Sequence, residues 1–177
     1  MIYKLNDEYF VRALRDTDLD GDYLSWFEDQ DICQFNSHGK FFRTRDWFKD
    51  YISSVNNNNN VAWAICHNKD GHIGNISLQS FSFINRSAEF AIIIGNKTHL
   101  GKGVSKMAAK TIIQHGFNKL NLERIYCGTP DTNIKMKELA KSLGMIEEGR
   151  RRKHMFLDNM WVDVIEYGLL RKEVKLN

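Results

Sequence analysis

The hydrophobic pattern at the start of the chain predicts one short strand followed by two amphipathic helices. Residues 9–14 are mainly apolar and end at a polar cluster, which is typical of a strand. Apolar positions then recur at helical spacing over 19–27 and again over 47–55. Thr17 or Asp18 is the expected N-cap of the first helix, and Thr44 that of the second.

Three alternating segments come next and predict an antiparallel meander. They cover residues 61–67, 72–83 and 88–94. Residues 68–71 end in glycine and form the expected hairpin turn between the first two segments. Before them, residues 56–60 are five consecutive asparagines, which cannot bury apolar surface and are expected to form an exposed loop tip.

The second half of the chain changes to alternating helices and strands. An apolar stripe over 104–117 predicts a helix of about four turns. A strand over 122–128 and a helix over 134–143, ended by Gly144, follow it, and 145–156 with 160–170 predict a long hairpin. The expected class is therefore α+β with a mixed, mostly antiparallel sheet.

Composition adds limits to this picture. A length of 177 residues with 42% hydrophobic residues predicts one domain, residues 1–177, with a sizeable core. The net charge of +3 is too small to indicate a nucleic-acid or membrane partner. The start of the chain lacks the apolar core of a signal peptide, and the three cysteines lack metal-site spacing. We therefore expect a reduced, cytoplasmic protein with no metal.

The aromatic residues of the first 50 positions allow two interpretations. They either face the core or line a substrate cleft, because the stretch between the two predicted helices is long, aromatic and without periodicity. The cleft interpretation makes Trp26, Phe35 and Trp47 candidate substrate-binding residues. The core interpretation treats the same side chains as ordinary packing residues.

Two glycines open the helix that starts near residue 104, and they suggest an anion site. Gly101 and Gly103 lie where a strand passes through a loop into a helix. Glycine lets the backbone approach a ligand closely, and the first helical turn offers unpaired N–H groups to a phosphate. The alternative is a flexible loop before an ordinary helix.

Four segments resemble the GNAT superfamily of acetyl-CoA-dependent N-acetyltransferases, and in particular its ribosomal-protein-alanine acetyltransferase branch. They are residues 89–105, 117–124, 133–145 and 148–170. The family holds the pyrophosphate of coenzyme A on a loop of form [Gln/Arg]-x-x-Gly-x-[Gly/Ala]. That loop aligns with Leu100, Gly101, Lys102, Gly103, Val104 and Ser105. Leu100 and Ser105 depart from the pattern, and of these only Leu100 removes a side-chain contact.

A second signature of the family begins at Asn133, which opens the next helix. The resemblance implies that its side chain meets the pantetheine arm or the backbone beside it. Seven residues later, Ala140 stands where many relatives have the tyrosine that protonates the departing thiolate. That acid is therefore absent, although members of this branch often lack it.

The resemblance implies a three-layer fold whose central sheet is splayed in the middle and flanked by helices. The pantetheine of acetyl-CoA, the expected co-substrate, would pair with the backbone of Ile92, Ile93 and Ile94 in the gap beside the next parallel strand. A core strand buried on both faces is the alternative explanation of this apolar run. A homodimer is one assembly that remains open.

The function expected on this basis is direct acetyl transfer to a primary amine. The family resemblance places an acidic residue at Glu89, which is the candidate catalytic base for the incoming ammonium. Strand alternation could instead direct Glu89 outward, or its carboxylate could only bind the ammonium.

The acceptor and the class of function leave alternatives. An α-amine is easier to deprotonate than a lysine, which favours a peptide N-terminus or the amino group of a nucleotide-linked sugar, and we lean toward the sugar. A non-catalytic CoA-binding module is a second class of function. Nucleic-acid binding through residues 150–153 is a third, and we favour a plain charged strand edge there.

Overall fold

The computed structural model describes residues 1–55 and 60–174, so most of the asparagine run, residues 56–59, lies outside the described residues. Eight strands form one sheet in the order β1-β2-β3-β4-β5-β6-β8-β7. They are β1 (Ile2–Lys4), β2 (Tyr9–Ala13), β3 (Val61–His67), β4 (Gly71–Ser82), β5 (Ser87–Ile94), β6 (Arg124–Pro130), β7 (Ile146–Leu157) and β8 (Met160–Leu170). All neighbours are antiparallel except β5 and β6. The predicted meander and final hairpin are confirmed.

Within the described residues, four α-helices accompany the sheet. They are α1 (Gln30–Cys33), α2 (Arg45–Val55), α3 (Val104–Lys119) and α4 (Ile134–Ser142). Three of them were predicted, with Thr44 capping α2 through its Oγ1 and Gly144 following α4 in the left-handed region. No helix within residues 1–55 and 60–174 is long and apolar enough to span a membrane.

The predicted helix over 19–27 is wrong. Short 3₁₀ turns replace it, at Asp16–Asp20 and Ser25–Phe27, with Gly21 in an extended conformation between them. Asp18 does not cap a helix; its carboxylate instead accepts two hydrogen bonds from Arg12 and one from the backbone N–H of Arg15. Side-chain bonds of this kind compete with helical ones, so the apolar spacing there reports packing against the sheet.

Two hydrophobic cores make the fold three-layered, as expected. Alternate residues of β3 supply both: Trp63 and Ile65 enter the core beneath α3 and α4, whereas Ala62 and Ala64 enter the core beneath α2 and the N-terminal turns. Because successive side chains of a strand point to opposite faces, the helices lie on the two sides of the sheet.

The sheet is splayed between β5 and β6. These two parallel strands pair only at Ser87 with Arg124, Ala88 with Ile125 and Glu89 with Tyr126. Beyond this point β5 stays paired with β4 to Ile94, and β6 stays paired with β8 to Pro130. The splayed sheet that the family resemblance implied is therefore confirmed.

Gly95, at the end of β5, is expected to be intolerant of any side chain. A Cβ there would lie 1.8 Å from Cδ2 of Trp26, an indole that is only 3% exposed and cannot swing away. Gly95→Ala should lower the free energy of unfolding by about 3 kcal/mol, as overpacking of a filled core does, in chemical denaturation. Gly149→Ala is the control, because nothing lies within 4 Å of its Cβ position; equal stabilities of the two variants would contradict the prediction.

Candidate functional site

The gap between β5 and β6 is open at one end and closed at the other. Its closed end is the Glu89–Tyr126 pair, and five residues of β5 extend from there to Ile94, or about 17 Å at 3.3 Å per residue. Ile92, Ile93 and Ile94 are half-buried, so the interpretation of this run as a strand buried on both faces is not confirmed. A strand edge without a partner can pair with an extended ligand.

The glycine loop lies at the open end of this gap. Gly101 and Gly103 adopt φ angles of 78° and 76°, and apart from the adjoining residues of the loop no heavy atom of the described chain lies within 4 Å of either Cβ position. Gly103 is the N-cap of α3 and offers no side chain to the first-turn N–H groups. The amides of Val104 and Ser105 are therefore placed to bind an anion, with the positive end of the helix dipole behind them.

The other residues of this loop are either buried, which anchors the start of α3, or exposed to solvent. The Val104 side chain is 1% exposed and fixes the start of α3 in the core. Leu100 is 46% exposed, and Lys102 is also exposed, so both side chains face the solvent around the loop. The loop therefore presents backbone N–H groups and one cation, which fits a phosphate.

The second signature sits at the end of the neighbouring strand. Asn133 follows β6 and caps α4, since its Oδ1 accepts a hydrogen bond from the Met136 N–H at 3.2 Å. Ligands of parallel strands bind beyond their carboxyl ends, and Asn133 and the glycine loop follow the two strands that diverge. Ala140 is fully buried, so the position of the missing tyrosine is a core position here.

Glu89 is half-buried at the closed end of the gap. Its Oε2 lies 3.4 Å from Nε2 of Gln79 and 3.3 Å from Oγ of Ser80, where a bulge interrupts the pairing of β4 with β5. Because alternate residues of β5 share a face, Glu89 is on the side of Ala91 and Ile93, which line a cavity under α2. The carboxylate therefore lies on a face where an acceptor could approach.

Tyr126 lies directly beside Glu89 in the register. Burial raises the pKa of the Tyr126 hydroxyl, and the carboxylates of Glu89 and Glu166 raise it further. A pKa above 10 keeps this hydroxyl protonated at neutral pH. Tyr126 is therefore suited to donate a proton rather than to accept one.

The three aromatic residues predicted to bind substrate lie in different environments in the structure. Trp47 lines the cavity under α2, of about 340 Å³, where the Arg43 guanidinium lies 3.9 Å from the centre of its ring. Trp26 is 3% exposed and packs against Tyr23 and His72 in the core, as the packing interpretation predicts. Phe35 is half-buried outside this cavity.

Three polar residues that sequence reasoning passed over line the same cavity. They are Asn75, Ser77 and Gln79, at every second position of β4. The signal was available as a strict polar–apolar alternation, with Ile76 and Leu78 between them. The cavity floor is therefore polar along β4 and apolar along β5.

A larger cavity, of about 620 Å³, adjoins the first and shares Phe27 and Arg43 with it. Its charged residues are Glu28, Asp29, Asp158, Lys40 and Arg43. The Asp29 carboxylate is bound by Lys97 at 2.7 Å, which lies outside this lining. A cationic acceptor could therefore bind beside the carboxylates of Glu28 and Asp158.

Two of the four basic residues at 150–153 are paired with carboxylates. Arg150 pairs with Asp131 and Asp163 at 3.1 and 2.9 Å, and Arg151 pairs with Glu166. This pairing supports the charged strand edge over nucleic-acid binding, because paired cations have little left to offer a phosphate backbone.

Comparisons with known proteins agree with this geometry. A family model for the acetyltransferase (GNAT) domain matches residues 9–146. "Putative ribosomal N-acetyltransferase YdaF" of Bacillus subtilis is 32% identical over 105 residues, which are 59% of this chain and 57% of that protein. Spermidine N(1)-acetyltransferase of Vibrio cholerae is 33% identical over 101 residues, 57% of this chain and 58% of that protein. The chain thus matches somewhat over half the length of these relatives.

Solved structures extend the match to nearly the whole chain. The crystal structure of spermidine N-acetyltransferase from Vibrio cholerae in complex with CoA and spermine has a TM-score of 0.84 and 25% identity, and the match covers 95% of this chain and 98% of that one. The expected GNAT fold is thereby confirmed. An amino sugar as the acceptor finds no support in these relatives, which are named for spermidine or ribosomal substrates.

The glycine loop generates a direct test of cofactor binding. Acetyl-CoA at a hundredfold excess over its Kd should stabilise the chain by about 2.7 kcal/mol, seen as a rise in Tm. Gly103→Asp should abolish this rise, because the new carboxylate opposes a phosphate by charge and bulk. Gly144→Asp is the matched control, since Gly144 also has a positive φ and open surroundings but ends α4. A folded Gly103→Asp chain with unchanged acetyl-CoA affinity would remove this loop from the site.

Proposed function

The chain belongs to the GNAT acetyltransferase family, and from this premise we propose that it transfers the acetyl group of acetyl-CoA directly to a primary amine of a polyamine. The observation that carries the proposal is the gap between β5 and β6, which joins the glycine loop at its open end to Glu89 and Tyr126 at its closed end. Bound acetyl-CoA would supply a thioester that a neutral amine attacks, forming an amide and releasing the CoA thiolate.

The strand and loop residues hold the co-substrate in this proposal. Amides at the start of α3, beyond Gly103, bind the pyrophosphate, and the unpaired edge of Ile92 to Ile94 binds the pantetheine arm. Asn133 borders the arm from the side of β6 while its Oδ1 keeps α4 capped. The arm then ends near the closed end of the gap, on the face where the cavity under α2 opens.

Glu89 acts as the base in this proposal, directly or through a water. A polyamine amine resembles a lysine of pKa about 10.4, so its deprotonation at pH 7 costs about 4.6 kcal/mol, against about 1.1 kcal/mol for an α-amine. A polyamine acceptor therefore needs the carboxylate more than a peptide N-terminus does. The half-buried position of Glu89 beside Ala91 keeps it within reach of the cavity.

Tyr126 replaces the acid that Ala140 cannot supply. Its raised pKa holds the hydroxyl in the protonated form at neutral pH, and it borders the closed end of the gap from β6. Glu89 takes one proton from the ammonium and releases it to solvent. The departing thiolate takes its proton from Tyr126, whose phenolate recovers a proton from the nitrogen as the amide forms. No nucleophilic side chain is used, so both substrates must be bound at once.

Two findings support a polyamine as the acceptor. A matching structure contains spermine, and three curated relatives are named for spermidine. Glu28 and Asp158 at the larger cavity offer carboxylates to the distant ammonium groups of such a chain. A peptide N-terminus is the second candidate, because the first curated relative is named for a ribosomal substrate.

The acceptor is tested by measuring CoA release with spermidine, a peptide with a free N-terminus and an amino-sugar nucleotide. Spermidine should give the highest kcat/KM, its product should gain one acetyl group, and initial rates should show a ternary complex. Ping-pong kinetics would refute direct attack. Intact acetyl-CoA binding without turnover on any of these amines would favour a non-catalytic CoA-binding module.

Glu89→Gln tests the base, because it keeps the shape of the side chain but removes its basicity. Turnover of spermidine should fall by about 10² to 10⁴-fold, as for loss of a general base, with little change in acetyl-CoA affinity. The loss should shrink as rising pH deprotonates the amine in solution. Glu138→Gln, on the exposed face of α4, is the control. An unchanged rate and pH profile for Glu89→Gln would exclude Glu89 as the base.

A further inference from the structure

A second cluster of reactive side chains lies away from the gap, where the β3–β4 turn meets the segment before the glycine loop. His67 ends β3, Asp70 lies in the turn and His99 ends a 3₁₀ helix at Lys97–His99. Oδ2 of Asp70 lies 2.7 Å from Nδ1 of His67 and 3.1 Å from Nε2 of His99. The three ligand atoms all lie within 4.8 Å of one another.

We propose that His67, Asp70 and His99 bind a divalent transition-metal ion, with Zn²⁺ as the best fit, through Nδ1, Oδ2 and Nε2 respectively. Two imidazoles and one carboxylate are ligands that zinc accepts, and a water molecule would complete a four-coordinate site. This site is separate from the acetyl-transfer machinery and does not depend on the proposed function.

Hydrogen bonds hold the same three residues together without a metal. Oδ2 of Asp70 lies within hydrogen-bonding distance of Nδ1 of His67 and of Nε2 of His99. Nδ1 of His67 also accepts a hydrogen bond, at 3.3 Å, from the backbone N–H of Asp70. A metal ion would replace these contacts, and neither ligating nitrogen would then carry a proton.

Tyr9 supplies the supporting contact that metal-bound histidines usually have. Its hydroxyl lies 2.9 Å from Nδ1 of His99 and is buried with it, since Tyr9 is 3% and His99 is 2% exposed. In the metal-bound tautomer Nδ1–H of His99 donates to the Tyr9 oxygen. That bond fixes the ring with Nε2 directed at the metal.

Metal binding requires the three side chains to move. Ligand atoms of a tetrahedral zinc site lie about 3.4 Å apart when the bonds are near 2.1 Å. Oδ2 of Asp70 must therefore withdraw by about 0.7 Å from His67 and about 0.3 Å from His99, and the two histidine nitrogens, which lie within 4.8 Å of each other, must approach by up to about 1.4 Å. The Asp70 side chain is 49% exposed and lies in a turn, which permits this movement and gives an ion access from solvent. His99 immediately precedes Leu100, so the ion would link the segment before the glycine loop to the β3–β4 turn.

The test is calorimetric titration of the full chain, without a polyhistidine tag, with ZnCl₂. One Zn²⁺ should bind per chain and raise Tm, and Co²⁺ in its place should give the visible absorption of four-coordinate cobalt. Asp70→Asn removes the charged ligand at a half-exposed position and should weaken Zn²⁺ binding by at least about tenfold. Asp50→Asn, on the exposed face of α2, is the matched control and should bind as the unmodified chain does.

Tyr9→Phe keeps all three ligands but removes the oxygen that orients His99. It should weaken Zn²⁺ binding by about tenfold, as loss of a supporting contact does, and should leave one ion bound per chain. The proposal is overturned if the unmodified chain binds no Zn²⁺, or if Asp70→Asn binds it as tightly as Asp50→Asn. Either result would leave the cluster as a purely hydrogen-bonded link between the turn and the loop.

Discussion

The early end of pairing between β5 and β6 is the constraint on which the rest of the structure depends. Each strand keeps one complete neighbour, β4 for β5 and β8 for β6, so the sheet stays continuous while its centre opens. Buried backbone groups must be paired, and an edge opened inside a sheet is therefore costly unless water or a ligand reaches it. The half-burial of Ile92 to Ile94 shows that this edge is accessible.

Apolar packing holds the helices and strands around the gap and leaves the N–H groups at the start of α3 without a side-chain cap. Val104 and Ala140 are buried and fix the starts and faces of α3 and α4 in one core. Trp26 packs on Gly95 from the other core and holds the end of β5 where the chain turns toward the glycine loop. Rigid apolar anchors thus position the backbone N–H groups at the start of α3 without occupying them.

Several arginines are paired with carboxylates and are therefore not available to a ligand. Arg150 and Arg151 of the C-terminal hairpin form such ion pairs, and Arg12 is paired with the buried Asp18. Lys102 at the glycine loop is exposed to solvent. A lysine beside an anion site can bind a ligand only when no neighbouring carboxylate is already paired with it. The loop from Gly101 to Gly103 contains no carboxylate.

The sequence by itself determined the elements whose signals are local. Strand alternation in β3 and β4, the glycines before α3 and Asn133 before α4 each rest on side-chain periodicity or on backbone conformations that few residues adopt. The family resemblance added the splayed sheet. These features need no knowledge of what lies across the fold.

Only the tertiary structure decided the contacts between distant segments. Residues 19–27 carry helical spacing but form 3₁₀ turns, because Arg12 and the backbone of Arg15 bind Asp18. Trp26 is a core residue rather than part of the cavity because it packs on Gly95, which lies 69 positions away. His99 meets Asp70 and Tyr9 only through folding. Periodicity predicts that a side chain is buried, whereas the residue that it contacts depends on the packing of the whole chain.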